Sequence, residues 1–421
     1  MYDVVIIGGG AAGFFAAIQM AEEDPGLKIV LLERGKEVLS KVKISGGGRC
    51  NVTHAEFDPG ELVHHYPRGE KELLGPFHTF CSGDTMAFFE RRGVPLKIEE
   101  DGRMFPVSNS SQTIIDCFLN EVGRLGITVL KNSSVTAITR SDHGFTIQSI
   151  KAEYRAKKIL VATGSNPKIW KMLENMGHSI VPPVPSLFTF NIKDERISGI
   201  PGVSTHAMVE VLPQNPIGSK VNIPLKSKVP QQSNLQSEGP LLITHWGMSG
   251  PAILKLSAWG ARVLHDYHYK FKIRVNWLPA YHEGAVFQQL LTIKEIEAKK
   301  TVLRTTAFEI PKRLWINLVK AAGISDKTKW ADIAKNDLQE LSLQLVGSEF
   351  SVDGKSTFKE EFVTAGGIDL KEINFKTYES KIVPGLYFAG EVMDVDAITG
   401  GFNFQNAWTG AFIAAKAIAA N

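Results

Sequence analysis

Apolar residues in this chain gather into short unbroken runs near its start. Val4-Val5-Ile6-Ile7 leads into Gly8-Gly9-Gly10. A stretch of small and apolar residues, Ala11–Ala21, follows, and Ile29-Val30-Leu31-Leu32 then ends in Glu33. Runs of this length bounded by glycine read as strands buried on both faces, and the intervening stretch reads as a helix. Farther on, helical spacing recurs at Leu73–Phe80, Thr85–Arg92 and Thr113–Leu125, the last with Ser108–Gln112 as a capping region and Gly126 at its end. Ile127–Leu130, Ser134–Ile138, Gly144–Ile150 and Lys157–Ala162 read as strands.

Near residue 188 the pattern changes. Leu187–Ile192, Ala207–Leu212, Lys220–Leu225, Pro240–Thr244 and Tyr269–Val275 predict short strands, with Lys226–Glu238 as an exposed hairpin tip. A helix is expected over Ala252–Leu264, opened by Pro251. Glu283–Lys299, Pro311–Ala322 and Lys329–Gln339 read as helices, and Leu341–Val346 and Ser348–Val352 as strands. The strand Leu386–Ala389 and a final helix, Ala407–Ala420, close the chain. Ends that share a strand-turn-helix grammar predict that the middle is inserted into a domain built from both termini.

The first glycine turn adds chemistry to this outline. Gly8, Gly10 and Gly13 form G-x-G-x-x-G between a strand and a helix, and an acid, Glu33, ends the next strand. That context points to a dinucleotide: its pyrophosphate at the helix start and its ribose hydroxyls on the carboxylate. A second cluster, Ser45-Gly46-Gly47-Gly48-Arg49-Cys50-Asn51, reads as a loop lying close to a flat or phosphorylated ligand, with Arg49 and Asn51 as its polar equipment.

Composition excludes more than it assigns. With 421 residues the chain is long enough for two or three domains, and 43% hydrophobic with 22% charged residues is ordinary for a globular protein. The net charge of +3 permits an anionic ligand or RNA without requiring either. Cys50, Cys81 and Cys117 have neither disulfide-framework nor metal-site spacing, so a reducing, cytoplasmic setting and no metal are expected. The first apolar run is broken by the glycine turn and reads as neither a signal peptide nor a membrane span.

Taken together, Val5–Gly13 with Glu33, Lys43–Asn51, Thr244–Leu254 around Gly-Met-Ser-Gly-Pro, Phe362–Ile368 and Glu379–Asn406 resemble the HI0933-like flavoproteins, within the glutathione-reductase-like superfamily. The Ser-Gly-Gly-Gly-Arg-Cys-Asn block is the most specific of these matches. The resemblance implies FAD as cofactor. It places Gly8, Gly10, Ala11, Ala12 and Gly13 on the pyrophosphate, Glu33 and Arg34 at the adenosine ribose, and Val135 near the adenine. Lys43, Ser45, Gly46, Gly47, Gly48, Arg49, Cys50 and Asn51 would run past the ribitol and ring. Ala162, Thr163 and Gly164 would line the cleft, Gly390 and Glu391 would meet the phosphate–ribitol region, and Gly400, Gly401, Asn403, Phe404, Gln405 and Asn406 would face the ring. Ser165, His54 and Ala397 depart from the family's usual glycine, asparagine and glycine.

The fold expected is α/β: a Rossmann-like FAD-binding domain of residues 1–190 and 357–421. Into it is inserted a β-barrel-like plus helical domain, 191–356, strand-rich over 191–278 and 341–356 and helical over 279–340. The activity implied is that of an FAD-dependent oxidoreductase, specifically an NAD(P)H-dependent reductase of an activated C=C bond. NAD(P)H would visit transiently, since no second nucleotide fold is evident. Ribosomal RNA dihydrouridine formation, amine oxidation and non-catalytic redox sensing are the alternatives, so the partner is a small molecule or ribosomal RNA. Three residues are candidates for chemistry. Arg49 binds either a substrate anion or the cofactor, Cys50 is either a redox thiol or a packing residue, and His245 is either a proton donor or a structural histidine. Asp394 and Asp396 are turn residues or orient Arg49.

Overall fold

A computed structural model describes residues 1–141, 143–213, 235–305, 307–357 and 363–420. The chain divides into two compact units, Met1–Pro185 with Lys359–Asn421, and Ser186–Phe358.

The apolar runs of the first unit become a parallel sheet. Its strands lie in the order Leu386–Phe388, Glu153–Val161, Tyr2–Ile7, Ile29–Leu32, Thr128–Leu130, each parallel to its neighbours. Val5, Ile6, Leu31, Leu160 and Phe388 are wholly buried, as strands covered on both faces require. The hairpin Val135–Ser141/Gly144–Ser149 pairs antiparallel with the start of Glu153–Val161. The first helix, Ala11–Glu23, packs along the last, Phe402–Ala419. Small side chains such as Ala16, Ala411 and Ala414 bring the two backbones close. Aromatic rings fill the neighbouring space: Phe15 lies 4.4 Å from Phe88 and 5.3 Å from Trp408, centroid to centroid. Such pairs contribute about 0.5–1.5 kcal/mol each beyond area burial. The Trp408 indole N–H donates to the Val52 carbonyl at 2.9 Å, tying the last helix to the chain just after the glycine cluster.

The second unit is barrel-like. Its strands run in the order Ser348–Asp353, Lys270–Asn276, Ser204–Val211, Gln236–Ile243, Gly247–Ser249, Thr189–Asn191, Lys355–Ser356. The two ends of that order are one continuous stretch of chain, bent at Gly354. Residues 348–353 pair with Lys270–Asn276 on one side, and Lys355–Ser356 pairs with Thr189–Asn191 on the other, so the sheet closes on itself. Glu283–Ile296, Lys312–Ala321 and Lys335–Val346 are helices whose buried faces join the barrel's core around Trp277, Trp315 and Trp330.

Several boundaries differ from the sequence reading. Leu341–Val346 is the end of a helix, not a strand. Its alternating leucines imitate strand periodicity, but Leu338, Leu341 and Leu345 are buried at helical spacing while Leu343 is 39% exposed. The expected helix Ala252–Leu264 is two helices, Pro251–Trp259 and Ala261–Asp266, parted at Gly260. The last helix begins at Phe402, five residues before the expected Ala407, so Asn403–Asn406 are its opening turn. The expected strand Lys220–Leu225 and most of the tip Lys226–Glu238 lie outside the described residues, whereas Gln236–Glu238 opens a strand.

Candidate functional site

The first unit's glycine turn is dictated by close approach. The Gly8 N–H donates to the Leu32 carbonyl at 2.9 Å. A Cβ on Gly13 would stand 2.0 Å from the Gly8 carbonyl oxygen, so helix and turn meet at this spacing only if residue 13 is glycine. Gly10 is different. A Cβ there would meet nothing within 4 Å, and no side chain caps the helix that starts beside it. The helix therefore presents its first N–H groups and its positive end to open space, an anion site by construction. Ala11 and Ala12 form its opening turn.

Glu33 stands at the adjacent strand end. Its two carboxylate oxygens accept from the Gly9 N–H at 2.8 Å and the Gly35 N–H at 2.6 Å. Each oxygen keeps a further lone pair for a hydroxyl donor. A cavity of about 160 Å³ opens here, lined by Gly8, Glu33, Arg34, Val135, Thr163 and Asn166 among others. The residues expected at an adenosine thus share one pocket. Ala162 donates its N–H to the Ile7 carbonyl at 2.8 Å, and its own carbonyl is what a Cβ on Gly8 would strike. A Cβ on Gly164 would lie 3.4 Å from the Glu391 carboxylate, so the Ala162–Gly164 turn leads from the Gly8 turn to Glu391.

The first turn of the opening helix and the second turn of the last helix meet at Gly390. A Cβ there would lie 3.4 Å from that of Ala12 and 3.7 Å from that of Ala407. The next residue, Glu391, pairs with Lys41 and accepts the Thr364 N–H at 3.3 Å. Thr364 lies within the segment Phe362–Ile368 already singled out, and Lys41 lies two residues before the segment Lys43–Asn51. Lys43 instead points outward to Glu37 at 3.3 Å, while its carbonyl accepts from the Ser111 hydroxyl at 2.7 Å.

The second glycine cluster is a left-handed turn at the end of the helix Ser40–Gly48. φ is +57°, +67° and +83° at Gly46, Gly47 and Gly48, and +61° at Cys50. The Cys50 N–H closes the turn on the Ser45 carbonyl at 3.0 Å. Arg49 is fixed twice. Its guanidinium binds Glu99 at 2.5 Å and lies 3.8 Å over the Phe105 ring, leaving its side chain one-third exposed. Of the two readings open for Asp396, a turn residue or a partner of Arg49, the ion pair it forms is with another arginine. That carboxylate is wholly buried and takes both prongs of Arg68.

Cys50 is wholly buried, and burial pushes its thiol up to about 12. It stays protonated at neutral pH, so the redox-thiolate reading gives way to packing. The opening of the last helix divides by role. Asn403 spends its amide on Ala397, accepting its N–H at 3.0 Å and donating to its carbonyl at 3.2 Å. Gln405 is buried and bonded to Thr53, Thr85 and Thr409. The side chains of these two residues support the turn. Phe404 stacks on Trp408 at 5.5 Å. Gly400 and Gly401 have positive φ and bring no capping side chain to the helix. The buried carbonyl oxygens of the Asn51 and Asn406 side chains, and the Thr364 hydroxyl, find no hydrogen-bond partner among the described residues.

His245 belongs to the second unit. It is exposed on the turn Thr244–Gly247, which the Thr244 hydroxyl fixes by accepting two backbone N–H groups. It lines a cavity of about 990 Å³ with Lys193, Arg196, Ser198 and Gln344. Among the described residues no cluster of His, Cys, Asp and Glu is arranged for a metal ion, and no helix is long and apolar enough to cross a membrane.

The first unit fits FAD. Two uncapped helix starts suit a pyrophosphate and a ring that gains negative charge, the open space at Gly10 admits the phosphates, and unpaired buried oxygens await donors from outside the chain. The chain is 28% identical to the ribosomal RNA dihydrouridine synthase of Haemophilus influenzae, over 98% of each chain. It is 26% identical to the 3-dehydro-bile acid delta(4,6)-reductase of Clostridium scindens, over 100% of this chain and 99% of that one. The solved structure of a 3-ketosteroid-delta4-(5alpha)-dehydrogenase from Rhodococcus jostii is similar with 13% identity and a TM-score of 0.49, covering 99% of this chain and 96% of that one. The HI0933-like protein Rossmann domain model matches residues 2–417. The chain belongs to this HI0933-like family and is an FAD-dependent oxidoreductase.

Proposed function

We propose that the protein is an NAD(P)H-dependent reductase of a C=C bond conjugated to a carbonyl. The observation that carries this reading is the start of the last helix. Gly400–Gly401 leaves its N–H groups uncapped beside the buried, unpartnered Asn51 oxygen, whose distance from a Cβ on Gly401 would be 2.9 Å. Such an end favours negative charge on a reduced ring. FAD, when bound, supplies two-electron hydride transfer. The chain's own residues hold and orient it: the Gly8–Gly13 turn takes the pyrophosphate, Glu33 the ribose hydroxyls, Arg34 and Val135 the adenine end. Lys41 and Glu391 flank the middle. The Ser45–Asn51 turn and the Gly400–Asn406 backbone border the ring, with Arg49 as a fixed cation. His245 is exposed and lines a cavity of the second unit, and its candidacy as a proton donor rests on the sequence alone.

The two named relatives support this reaction class. Forming dihydrouridine and reducing a conjugated steroid-type alkene both add a hydride and a proton across C=C beside a carbonyl. The test is anaerobic bleaching of the FAD-loaded protein by NADH or NADPH, followed by reoxidation. Rapid recolouring by an enone or by uridine-containing ribosomal RNA, and slow recolouring by oxygen, is the expected result. Rapid recolouring by oxygen alone makes it an oxidase.

An RNA substrate is the second reading, favoured by charge distribution. Residues 186–358 hold 21 Lys and Arg against 15 Asp and Glu, a net of +6, while the rest of the chain holds 26 against 29, a net of −3. A basic insert suits a phosphate backbone. RNA affinity should then fall steeply with added salt.

A further inference from the structure

Asn166 caps the helix Pro167–Asn175, and that duty occupies one end of its amide. Its Oδ1 accepts the Lys168 N–H at 3.1 Å, as an N-cap side chain does. Only the carbonyl end can take that hydrogen, so Nδ2 is turned away from the helix with both of its own hydrogens. Nδ2 donates to no described residue. Yet Asn166 is only 9% exposed, and it lines the same cavity of about 160 Å³ as Gly8, Glu33 and Val135.

The residue is held from several sides. Its N–H donates to the Gly164 carbonyl at 2.9 Å, closing the turn that follows the strand Glu153–Val161, and its carbonyl accepts the Trp170 N–H at 3.0 Å. Pro167 sets the first helical position, and the Trp170 indole N–H anchors the helix on the Val392 carbonyl at 2.9 Å. A donor fixed in this way loses little freedom when a ligand engages it.

The other polar side chains of the cavity are spent, accept only, or stand in water. The buried Ser133 hydroxyl donates to the Lys131 carbonyl at 3.2 Å, and the Thr163 hydroxyl to the Gly164 carbonyl at 3.3 Å. Glu33 accepts, and Arg34 and Lys168 are exposed. Ile7, Leu32 and Ile169 supply apolar wall. Apolar walls with a buried donor suit a flat ring that carries an acceptor on its edge. Adenine is such a ring, with acceptors at N1, N3 and N7.

We propose that Asn166 is the residue by which this cavity recognises the adenine of FAD, its Nδ2 donating to one of those three ring nitrogens. The inference rests on the reading that the cavity holds the adenosine end of the cofactor. One side chain then does two things: its oxygen builds the helix start and its nitrogen reads the base.

The test is fluorescence titration of the flavin-free protein with FAD, with FMN, and with FAD analogues carrying 1-deaza-, 3-deaza- or 7-deazaadenine, each of which replaces one ring nitrogen by C–H. Wild type should bind one of the three analogues about three- to tenfold more weakly than FAD, the worth of one hydrogen bond. Asn166→Ser keeps a capping oxygen and withdraws the amide. It should lose the same factor with FAD and nothing further with that analogue. Asn166→Asp also keeps the cap but turns an acceptor toward the ring nitrogen, and should bind FAD more weakly still. Thermal unfolding of both flavin-free variants should stay close to wild type. Lowered stability with unchanged FAD affinity would leave Asn166 as a cap alone and overturn the proposal. Three analogues that bind wild type as tightly as FAD also overturn it, as does a penalty that Asn166→Ser retains in full. FMN bound as tightly as FAD defeats the assignment of the cavity to adenosine, whereas a strong preference for FAD with no analogue penalty defeats this inference alone.

Discussion

Arg68 and Asp396 stand 328 positions apart and meet as a two-pronged ion pair, with Asp396 wholly buried and Arg68 13% exposed. The contact has a backbone counterpart, since the same two residues form an antiparallel bridge. Gly69 packs against Val395 beside it. Together they pin the segment that runs through Ala397 and Gly400 into the last helix, where the ring is proposed to lie.

Removing one partner should therefore cost more than removing both. Asp396→Ala takes the carboxylate from a largely buried guanidinium, and Arg68→Ala takes the guanidinium from a buried carboxylate, each costing about 3–5 kcal/mol. Arg68→Met/Asp396→Leu should lose clearly less than either single variant. Chemical denaturation of the flavin-free protein reads this directly. Single variants within about 0.5 kcal/mol of wild type would show the pair to be incidental.

Glu33 holds two backbone amides with two oxygens. Glu33→Gln keeps the shape but offers an NH2 where one amide needs an acceptor. It should cost about 1–3 kcal/mol in stability and weaken FAD binding at least about tenfold, since a ribose acceptor is lost as well. Thermal unfolding and a flavin titration separate the two effects. Unchanged affinity in a folded variant removes Glu33 from the cofactor site.

Features written in neighbouring residues were legible in the sequence. The Gly8–Gly13 turn and the Gly46–Gly48 cluster are local: their glycines, strand and helix sit within a dozen residues of each other. The barrel-like insert was legible for the same reason. What sequence did not reveal is pairing across distance. Arg68 finds Asp396, and Arg49 finds Glu99 fifty residues on, with no mark in either segment. The side-chain partners of Gln405 and Asn403 were hidden for the same reason. Polar residues beside an expected ring look like ligands, but their amides are consumed by Thr53, Thr85 and Ala397. Leu341–Val346 shows that alternation over six residues does not distinguish a strand from the buried side of a helix.

Cys50 makes stability depend on pH in the alkaline range. Its thiol is pushed up to about 12 by burial, above its value in the unfolded chain. The folded state thus keeps a proton that the unfolded state releases. Stability is full below pH ~9 and falls as pH rises toward 12, by up to about 1.4 kcal/mol per unit for this group. Cys117, raised to about 11, and Tyr387, raised to about 12, add to the same loss. Cys50→Ser should flatten the Cys50 share of the curve and keep turnover at neutral pH. Loss of turnover with intact FAD binding would falsify the packing role.

The two glycines of the opening turn should fail in different ways. A Cβ on Gly13 would stand 2.0 Å from a backbone oxygen that cannot move without shifting the first strand, so Gly13→Ala should destabilise the chain whether or not FAD is present. A Cβ on Gly10 meets no protein atom within 4 Å, and its φ of −93° is open to alanine. Gly10→Ala should therefore leave the flavin-free protein as stable as wild type, within about 0.5 kcal/mol. It should nonetheless lower FAD affinity at least about tenfold, because the added methyl occupies the path of the pyrophosphate toward the helix start. Denaturation of the flavin-free variants and fluorescence titration with FAD distinguish these outcomes. Undiminished FAD affinity in Gly10→Ala would mean that the pyrophosphate does not approach this helix, and the cofactor assignment of the whole turn would fall with it.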